Sequence, residues 1–330
     1  MPEHPPHIAI AILNYNGKEL LRRFLPSVMA IGYPDVSVWV IDNRSTDDTM
    51  HWLRKEYPTV GVVQNAGNFG YAKGYNEGLK NIDADYYVLL NSDVAVSPAF
   101  LEPVIGEMER RREIAFAQPK IRWERHPDHF EYAGAAGGLL DNLGYPLCRG
   151  RIFDRLEKDA GQYDDDAFVF WASGACLVAR ASVFRSLGGF YEFYFMHQEE
   201  IDLCWRAQNN GYKVLASGQS VVWHLGGASL GKDDPQKTFL NFRNNLVMLA
   251  RNMPLGHLLW MLPVRWLLDG VAAVSFLYKG QGASGLAVIR AWMAFAGWLF
   301  GTKKGKYPGK RGFKGLDGVS AKPALWLRYT

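Results

Sequence analysis

The sequence predicts an α/β domain, a mostly parallel central sheet flanked by helices, followed by a C-terminal helical extension. Three observations carry this. Apolar runs of strand length alternate with helical patterns through the first third of the chain. Short polar motifs stand at the carboxyl ends of those runs, where open α/β sheets bind ligands. From Pro254 to Phe300 the composition changes to two long apolar stretches.

The elements follow in order. His7–Leu13 is a buried-strand run, and Lys18–Met29 has helical periodicity. Val36–Ile41 is a second strand, ending at Asp42. Ser45-Thr46-Asp47-Asp48 supplies capping oxygens and acidic first-turn residues for a helix start. Val60–Gln64 is a third strand, Ala72–Lys80 a helix, and Tyr86–Leu90 a fourth strand. Ala115–Gln118 and Phe168–Ala179 read as strands around a loop-rich stretch from Gly134 to Gly150. Glu199–Asn210 reads as an amphipathic helix with Ile201, Cys204, Trp205 and Gln208 on one stripe, an Asp202–Arg206 pair, and Gly211 as its stop. Tyr212–Ala216 and Val221–Leu225 are two short strands. Leu255–Tyr278 and Ala283–Phe300 are apolar but interrupted by Arg265, Asp269 and Arg290.

With 330 residues the chain can bury a sizeable core, and it shows no repeat or low-complexity stretch. Its net charge of +4 is unevenly spread. Residues 301–330 hold eight Lys and Arg against one Asp, a net +7, which leaves −3 for the remainder. A basic tail on a slightly acidic body suits an anionic surface. Cys148, Cys176 and Cys204 are odd in number and widely spaced, which fits a reducing compartment and neither a disulfide framework nor a zinc site. The opening MPEHPPHIAIAIL lacks a basic region before a long apolar core and reads as a loop feeding a strand, not a signal peptide.

Four strand ends carry polar groups: Asn14-Tyr15-Asn16, Asp42-Asn43, Asn65 and Asn91-Ser92-Asp93. A carboxylate such as Asp93 at a strand end can hold Mg²⁺ or Mn²⁺ on a diphosphate; the plain alternative is a strand-ending turn. Glu199-Glu200-Ile201-Asp202 crowds carboxylates at a helix start. They either cap it or, by raising one another's pKa, supply a general base. His224, followed by Gly226-Gly227, is a candidate metal or phosphate ligand. The turn Gly67–Gly74 matches neither a dinucleotide fingerprint nor a P-loop, although its glycines allow a nucleotide to approach.

Taken together, these segments resemble family 2 glycosyltransferases of the GT-A fold. IAILNYNG (Ile10–Gly17) resembles the opening strand and nucleotide turn, VIDNRSTDDT (Val40–Thr49) the base-contacting segment, and NFGYAKGYNEG (Asn68–Gly78) the segment beside the nucleotide. LLNSDV (Leu89–Val94) resembles the metal motif. WASGACLVAR (Trp171–Arg180) with GGFYEFYFMHQEEIDLCWR resembles the acceptor-side segment and its acidic motif, and WHLGGAS (Trp223–Ser229) the late His segment. The six occur in the family's order between Ile8 and Asn245. Asn91 stands where the metal motif usually has its first acid, as in rhamnosyltransferase-like members, and Glu199-Glu200 stands where Glu-Asp is usual.

The resemblance implies an inverting, metal-dependent glycosyltransferase with Mg²⁺ or Mn²⁺. Its donor would be a UDP- or dTDP-linked sugar and its acceptor a glycan or a lipid-linked hydroxyl in bacterial surface-polysaccharide or glycolipid assembly. Glu200 would be the base, with Glu199 as the alternative. Asn14, Asp42, Asn43, Asn68, Gly70, Lys73, Asn91 and Ser92 would line the nucleotide; Trp171, Gly174 and Ala175 would meet the acceptor; Asp93 and His224 would hold the metal. Residues 1–95 would form the donor half, 96–250 the acceptor and catalytic half, and 251–330 a helical extension in peripheral membrane contact on the cytoplasmic side. There Trp260, Trp266, Phe276, Trp292 and Trp298 would sit at head-group level. No nucleic acid partner is expected. Two other classes compete: a sugar-phosphate nucleotidyltransferase, for which IAILNYNG lacks a basic signature, and an inactive glycan- or lipid-binding protein.

Overall fold

The apolar runs of the first third form the parallel half of one sheet. The computed structural model describes residues 4–132, 134–152, 155–226, 234–301 and 311–319. Strands β1 (Ile8–Asn14), β2 (Val36–Asp42), β3 (Gly61–Gln64) and β4 (Tyr86–Asn91) lie in the order β3-β2-β1-β4, all parallel. Helices α1 (Lys18–Met29), α2 (Thr49–Glu56) and α3 (Gly70–Leu79) make the crossovers. Along β1 the side chains alternate between two cores. Ile8, Ile10 and Ile12 pack on one face with Val40 and Leu90; Ala9 and Ala11 pack on the other with Ile41 and Leu89. The second face is made of small residues because α3 lies close against it. A Cβ on Gly78 would stand 2.5 Å from the Ile41 side chain.

The sheet continues through the second half of the domain. After β5 (Val94–Val96) and α4 (Leu101–Arg110) come β6 (Ile114–Trp123) and β7 (His126–Phe130). A small separate sheet holds β8 (Gly138–Leu140), β9 (Pro146–Cys148), β10 (Arg151–Ile152) and β11 (Arg155–Leu156). Then follow β12 (Ala167–Phe168), β13 (Cys176–Arg180), α5 (Ala181–Ser186), α6 (Glu199–Asn209) and β14 (Lys213–His224). Strand β13 is inserted antiparallel between β4 and β6, and β14 runs parallel to β6. The sheet is therefore mostly parallel and runs unbroken through both halves.

Two strand expectations need correction. Phe168–Ala179 is not one strand: the chain leaves the sheet after β12 and rejoins it at β13. The detour is fixed by Trp171, whose ring fills the space over Gly138 and whose N–H donates to Leu139 O, and by Ser173 N donating to Gln118 Oε1. Conversely, the two short strands at Tyr212–Leu225 are a single strand, β14, with a bulge between Ser217 and Val221. There Gly218 passes so close to Asp164 that a Cβ would meet its carbonyl oxygen at 2.1 Å. Helix α6 also departs from the one-sided stripe, since Ile201 through Gln208 are all buried. Its outer side is covered by α7 (Pro235–Asn252) and by residues 311–319, where Phe313 packs on Trp205 and the Trp205 indole N–H donates to Gly312 O. Arg311, Lys314 and Asp317 of the expected basic tail thus lie in a stretch that returns to α6; Lys303, Lys304, Lys306, Lys310, Lys322 and Arg328 lie outside the described residues.

Helices α8 (Leu255–Tyr278) and α9 (Gly282–Phe300) form a hairpin packed on α7. Both are long and apolar enough to cross a membrane by length and composition. The charges within α8 do not lie on a solvent-facing side as expected of an interfacial helix. Arg265 and Asp269 are 1% and 0% exposed and turn inward. Arg265 donates to Leu143 O and to Asn245 Oδ1 at 2.7 Å and lies over the Tyr145 ring. Asp269 accepts from Tyr145 Oη and Trp292 Nε1. The outward side is left with Leu259, Trp260, Trp266, Leu267, Val271 and Val274, all exposed. Trp292 and Trp298 face the protein instead, donating to Asp269 and Tyr191.

Arg265 Nε also stands 3.5 Å from Asp269 Oδ1, and breaking this buried pair on one side should be costly. Arg265→Met leaves Asp269 uncompensated in the hairpin interface and is expected to lower stability by about 3–5 kcal/mol. The double variant Arg265→Met, Asp269→Leu should recover part of that. Denaturant unfolding of the single and double variants measures both, and an unchanged midpoint in the single variant would show that the pair does not hold the hairpin.

Candidate active site

Parallel register puts the polar strand ends side by side. Asn14 pairs with Asp42 across β1 and β2, and Leu13 pairs with Asn91 across β1 and β4. Asp42 is fully buried. Its carboxylate accepts from Asn14 Nδ2 at 3.2 Å, from the Ser45 hydroxyl and backbone N–H, and from Gln64 Nε2 at 3.4 Å. Ser45 Oγ also accepts from Asn16 N, and Asn16 Oδ1 accepts from Thr46 N at 2.7 Å. The loops after β1 and β2 are thereby laced into one rigid edge. Asn14 Oδ1 is buried without a hydrogen-bond partner among the described residues, and a Cβ on Gly17 would stand 2.4 Å from it. An orphan acceptor under a glycine turn is a place for a ligand donor group.

The next residues of the expected nucleotide set hold α3 in place. Asn43 Nδ2 donates to Gly70 O, and Asn65 Nδ2 to Asn43 Oδ1 and Gly74 O. Gly70 has φ +69°, and its N–H donates to Asn68 Oδ1. Lys73 sits over the Phe69 ring at 4.4 Å. Asn43 is thus spent on the fold, whereas Asn68 is exposed and Lys73 half-buried.

The turn between β4 and β5 carries Ser92 and Asp93. Antiparallel pairing of β5 with β14, with Val94 opposite His224, brings Asp93 beside His224. His224 Nε2 lies 3.1 Å from Asp93 Oδ1 and 3.5 Å from Asn91 Nδ2, and its Nδ1 lies 3.3 Å from Glu131 Oε2. Asp93, Glu131 and His224 are all buried. Burial alone would lower the His224 pKa, but bonding to and the charges of Asp93 and Glu131 outweigh it and push it up to about 10. Glu131 was missed by sequence reasoning. It stands alone after β7, outside any motif, and only the fold brings it to His224. Gly227 and Ser229 of the His segment lie outside the described residues.

On the acceptor side, Trp171 is buried and its N–H is consumed, so its ring offers no open face to an acceptor. Gly174 O accepts from Tyr71 Oη at 2.8 Å, and Ala175 O accepts from Asn91 N at 3.0 Å. This turn therefore ties the metal-motif strand to the start of α3. Glu199 and Glu200 open α6, and their charges are felt at Tyr71. Glu199 is 4% exposed and Glu200 half-buried; one carboxylate oxygen of each is buried without a partner among the described residues. Burial raises Glu199 well above the usual carboxylate range, with the neighbouring Glu200 charge adding to it, and burial raises Glu200 to about 7. The head of α6 thus carries two adjacent carboxylates whose pKa values burial raises.

A mostly parallel sheet whose strand ends carry an Asn–Asp edge and an Asp–His pair, with a raised carboxylate pair at the head of α6, has the layout of a GT-A-type fold. Residues 9–171 match the sequence model described as Glycosyl transferase family 2, and the chain is a family 2 glycosyltransferase with relatives among rhamnosyltransferases. It is similar to N-acetylglucosaminyl-diphospho-decaprenol L-rhamnosyltransferase of Mycobacterium tuberculosis, 27% identical over 81% of this chain and 91% of the relative. It is also similar to a rhamnosyltransferase of Escherichia coli, 24% identical over 63% of this chain and 79% of the relative. Among solved structures, a mannosyltransferase of Pyrobaculum calidifontis in complex with GDP-Man and Mn²⁺ superposes with a TM-score of 0.57 at 14% identity, over 91% of this chain and 89% of that one. GalNAc-T7 with UDP, GalNAc and Mn²⁺ gives 0.60 at 14% identity, over 77% of this chain and 49% of that one. These two likenesses concern the fold. The family match removes the nucleotidyltransferase alternative.

Proposed function

We propose that the chain is an inverting, metal-assisted glycosyltransferase of bacterial surface-polysaccharide or glycolipid assembly. It would move a sugar, rhamnose first among candidates, from a UDP- or dTDP-linked donor to a glycan or lipid-linked acceptor. The observation that carries this reading is the Glu199–Glu200 pair, buried, partner-poor and raised in pKa at the head of α6. Glu200, the more exposed of the two, would take the acceptor hydroxyl proton as that oxygen attacks the anomeric carbon. The anomeric bond to the diphosphate breaks in the same displacement, which inverts the configuration. Asp42 would receive the base edge in place of the long, exposed Gln64 contact, and Asn14 Oδ1 would accept from the nucleoside. Two ligands each about 2.1 Å from an octahedral ion stand about 3 Å apart, so the Asp93–His224 separation of 3.1 Å suits a shared Mg²⁺ or Mn²⁺. Among the described residues no group of three or more His, Cys, Asp or Glu forms a metal cage, which would leave the other positions to diphosphate and water. Bound there, the ion would neutralise charge building on the leaving diphosphate. Glu131 would hold His224 with Nε2 toward it.

The relative in Mycobacterium tuberculosis is named for a diphospho-decaprenol acceptor and for rhamnose, which supports a lipid-linked acceptor for this chain as well. The exposed apolar side of α8 adds a surface of suitable chemistry for peripheral contact.

Nucleotide titration separates base contact from metal contact. Asp42→Ala should weaken UDP and dTDP binding with or without Mn²⁺, while Asp93→Ala should abolish only the increment that Mn²⁺ adds. Calorimetry measures both, and wild-type affinities throughout would overturn the two assignments.

Transfer, assayed with whichever of a panel of UDP- and dTDP-sugars the protein uses, should rise through pH 7 as Glu200 loses its proton. Glu200→Gln should abolish that limb and lower kcat roughly a hundredfold or more. Loss in Glu199→Gln instead would move the base by one residue. Full activity in both would remove the mechanism, and no donor turnover by the wild type would favour the binding-protein alternative.

Vesicle co-sedimentation of the full chain tests the apolar side. The triple variant Leu259→Glu, Leu267→Glu, Val271→Glu should stay folded and lose binding to anionic vesicles. Equal sedimentation of the two proteins would refute lipid contact there.

A further inference from the structure

Three of the four residues preceding Glu199 are held in a left-handed conformation that side chains disfavour. Phe195 has φ +64°, His197 +70° and Gln198 +74°. None is glycine, and each such residue costs about 1 kcal/mol or more. Gln198 is the residue on which α6 starts, and it gives that helix no side-chain cap. Glu199 and Glu200 follow at once. Any relaxation of 195–198 toward ordinary dihedrals would re-aim both carboxylates, so the segment needs support from outside itself.

That support comes from two directions. The Phe195 carbonyl accepts from the Tyr71 and Ala72 N–H groups at the start of α3, at 2.6 and 3.1 Å. The carbonyls on either side of it, those of residues 194, 196 and 197, are gathered by one side chain of α7. Asn244 Nδ2 donates to Tyr194 O at 3.0 Å, Met196 O at 2.8 Å and His197 O at 2.8 Å. Asn244 is 0% exposed, and its Oδ1 accepts from Arg243 Nε at 2.8 Å and Nη2 at 2.7 Å, which fixes the amide orientation. Arg243 Nη2 also reaches Phe193 O and Tyr194 O. A primary amide has two N–H hydrogens, so three acceptors converging on it make a clamp in which backbone, not side chain, is gripped.

We infer that Asn244 is the positioning residue of the reaction: its amide holds segment 195–198 in its strained form and so aims the Glu199–Glu200 pair at the acceptor. This rests on the carboxylate reading given above. Asn244 touches no substrate. Its effect is on the geometry of the base, so it belongs in kcat and not in nucleotide affinity.

The test uses the full chain. In Asn244→Ala, kcat should fall roughly tenfold to a hundredfold, with UDP affinity by calorimetry within about twofold of wild type. Hydrogen–deuterium exchange should quicken in residues 193–200 while the β1, β2 and β4 strands keep their protection. Adding His197→Gly should restore part of the lost kcat, because glycine adopts positive φ without strain and His197 Nε2 has no partner among the described residues. If Asn244→Ala proves poorly folded, Asn244→Ser, which keeps one donor, takes its place with the same readouts. Wild-type kcat and exchange in the folded variant would overturn the inference. So would a kcat loss that merely tracks the unfolded fraction and is not relieved by His197→Gly. Loss of transfer in the Glu→Gln variants together with wild-type kcat in Asn244→Ala would remove this inference alone, whereas full activity of both Glu→Gln variants would remove the carboxylate reading and this inference with it.

Discussion

The constraint on which the rest of the structure depends is the register of β1 between β2 and β4. With Asn14 beside Asp42 and Leu13 beside Asn91, three strands end on one line, and the side chains just past them meet. A slip of one residue would turn Ile8, Ile10 and Ile12 toward the α3 side, where Ala9 and Ala11 now leave room, and would turn the Asn14 side chain away from Asp42. The register is protected from both sides. Large apolar residues face one core and small ones the other, so the hydrophobic pattern and the site geometry select the same pairing. Because β13 then adds antiparallel to β4, Ala175 O can receive Asn91 N, and the acceptor-side turn is tied to the donor-side edge.

A second level of organisation is the fate of three carboxylates on one helical turn. Glu199 and Asp202 are buried and Glu200 half-buried, and desolvation raises all three. For Asp202 the charges of Arg206 and Arg251, with bonds from Asn252 and Arg206, outweigh it and hold the group below the usual range. Among the described residues no cation offsets burial at Glu199 or Glu200, and their pKa values rise. The same sequence run therefore contains one carboxylate held below the usual range and two pushed above it, Glu200 to about 7. Separation of pKa values by environment is how neighbouring acids acquire different roles.

Local chemistry explains what could be read from the sequence. The strand ends, the Asp93 turn, the Glu pair and His224 each sit in a short segment whose pattern states its element; the fold sets Asn14 beside Asp42 and Asp93 beside His224, and puts the Glu pair at the head of α6. Glu131 could not be found this way, because its role arises only from β6–β7 pairing and from its proximity to His224 across the domain. The broken strand at 168–179 and the joined strand at 213–224 were misjudged for one reason. Gly138, which admits the Trp171 ring, and Gly218, which admits the Asp164 backbone, act through partners far away in sequence. Trp171 was assigned to the acceptor by its segment, but its environment buries it. The all-round burial of α6 depends on α7 and on residues 311–319, neither of which its own periodicity can reveal.

Interrupting charges in an apolar helix usually argue about the membrane, and here they argue about the protein. Arg265 and Asp269 do not face head groups; they fasten α8 to Asn245, Tyr145 and Trp292 and leave the apolar residues outside. Asn245 in turn donates to Gly144 O and lies 3.4 Å from Gln198 Oε1, beside the clamp formed by Asn244. The hairpin and the catalytic segment are therefore joined through consecutive residues of α7, one reaching the α8 charges and the next reaching the strained backbone before Glu199. A helix hairpin that merely anchored the enzyme would need only its outer face. This one is also joined to the backbone before Glu199, because Asn245, which receives Arg265, and Asn244, which grips residues 194, 196 and 197, are neighbours on α7.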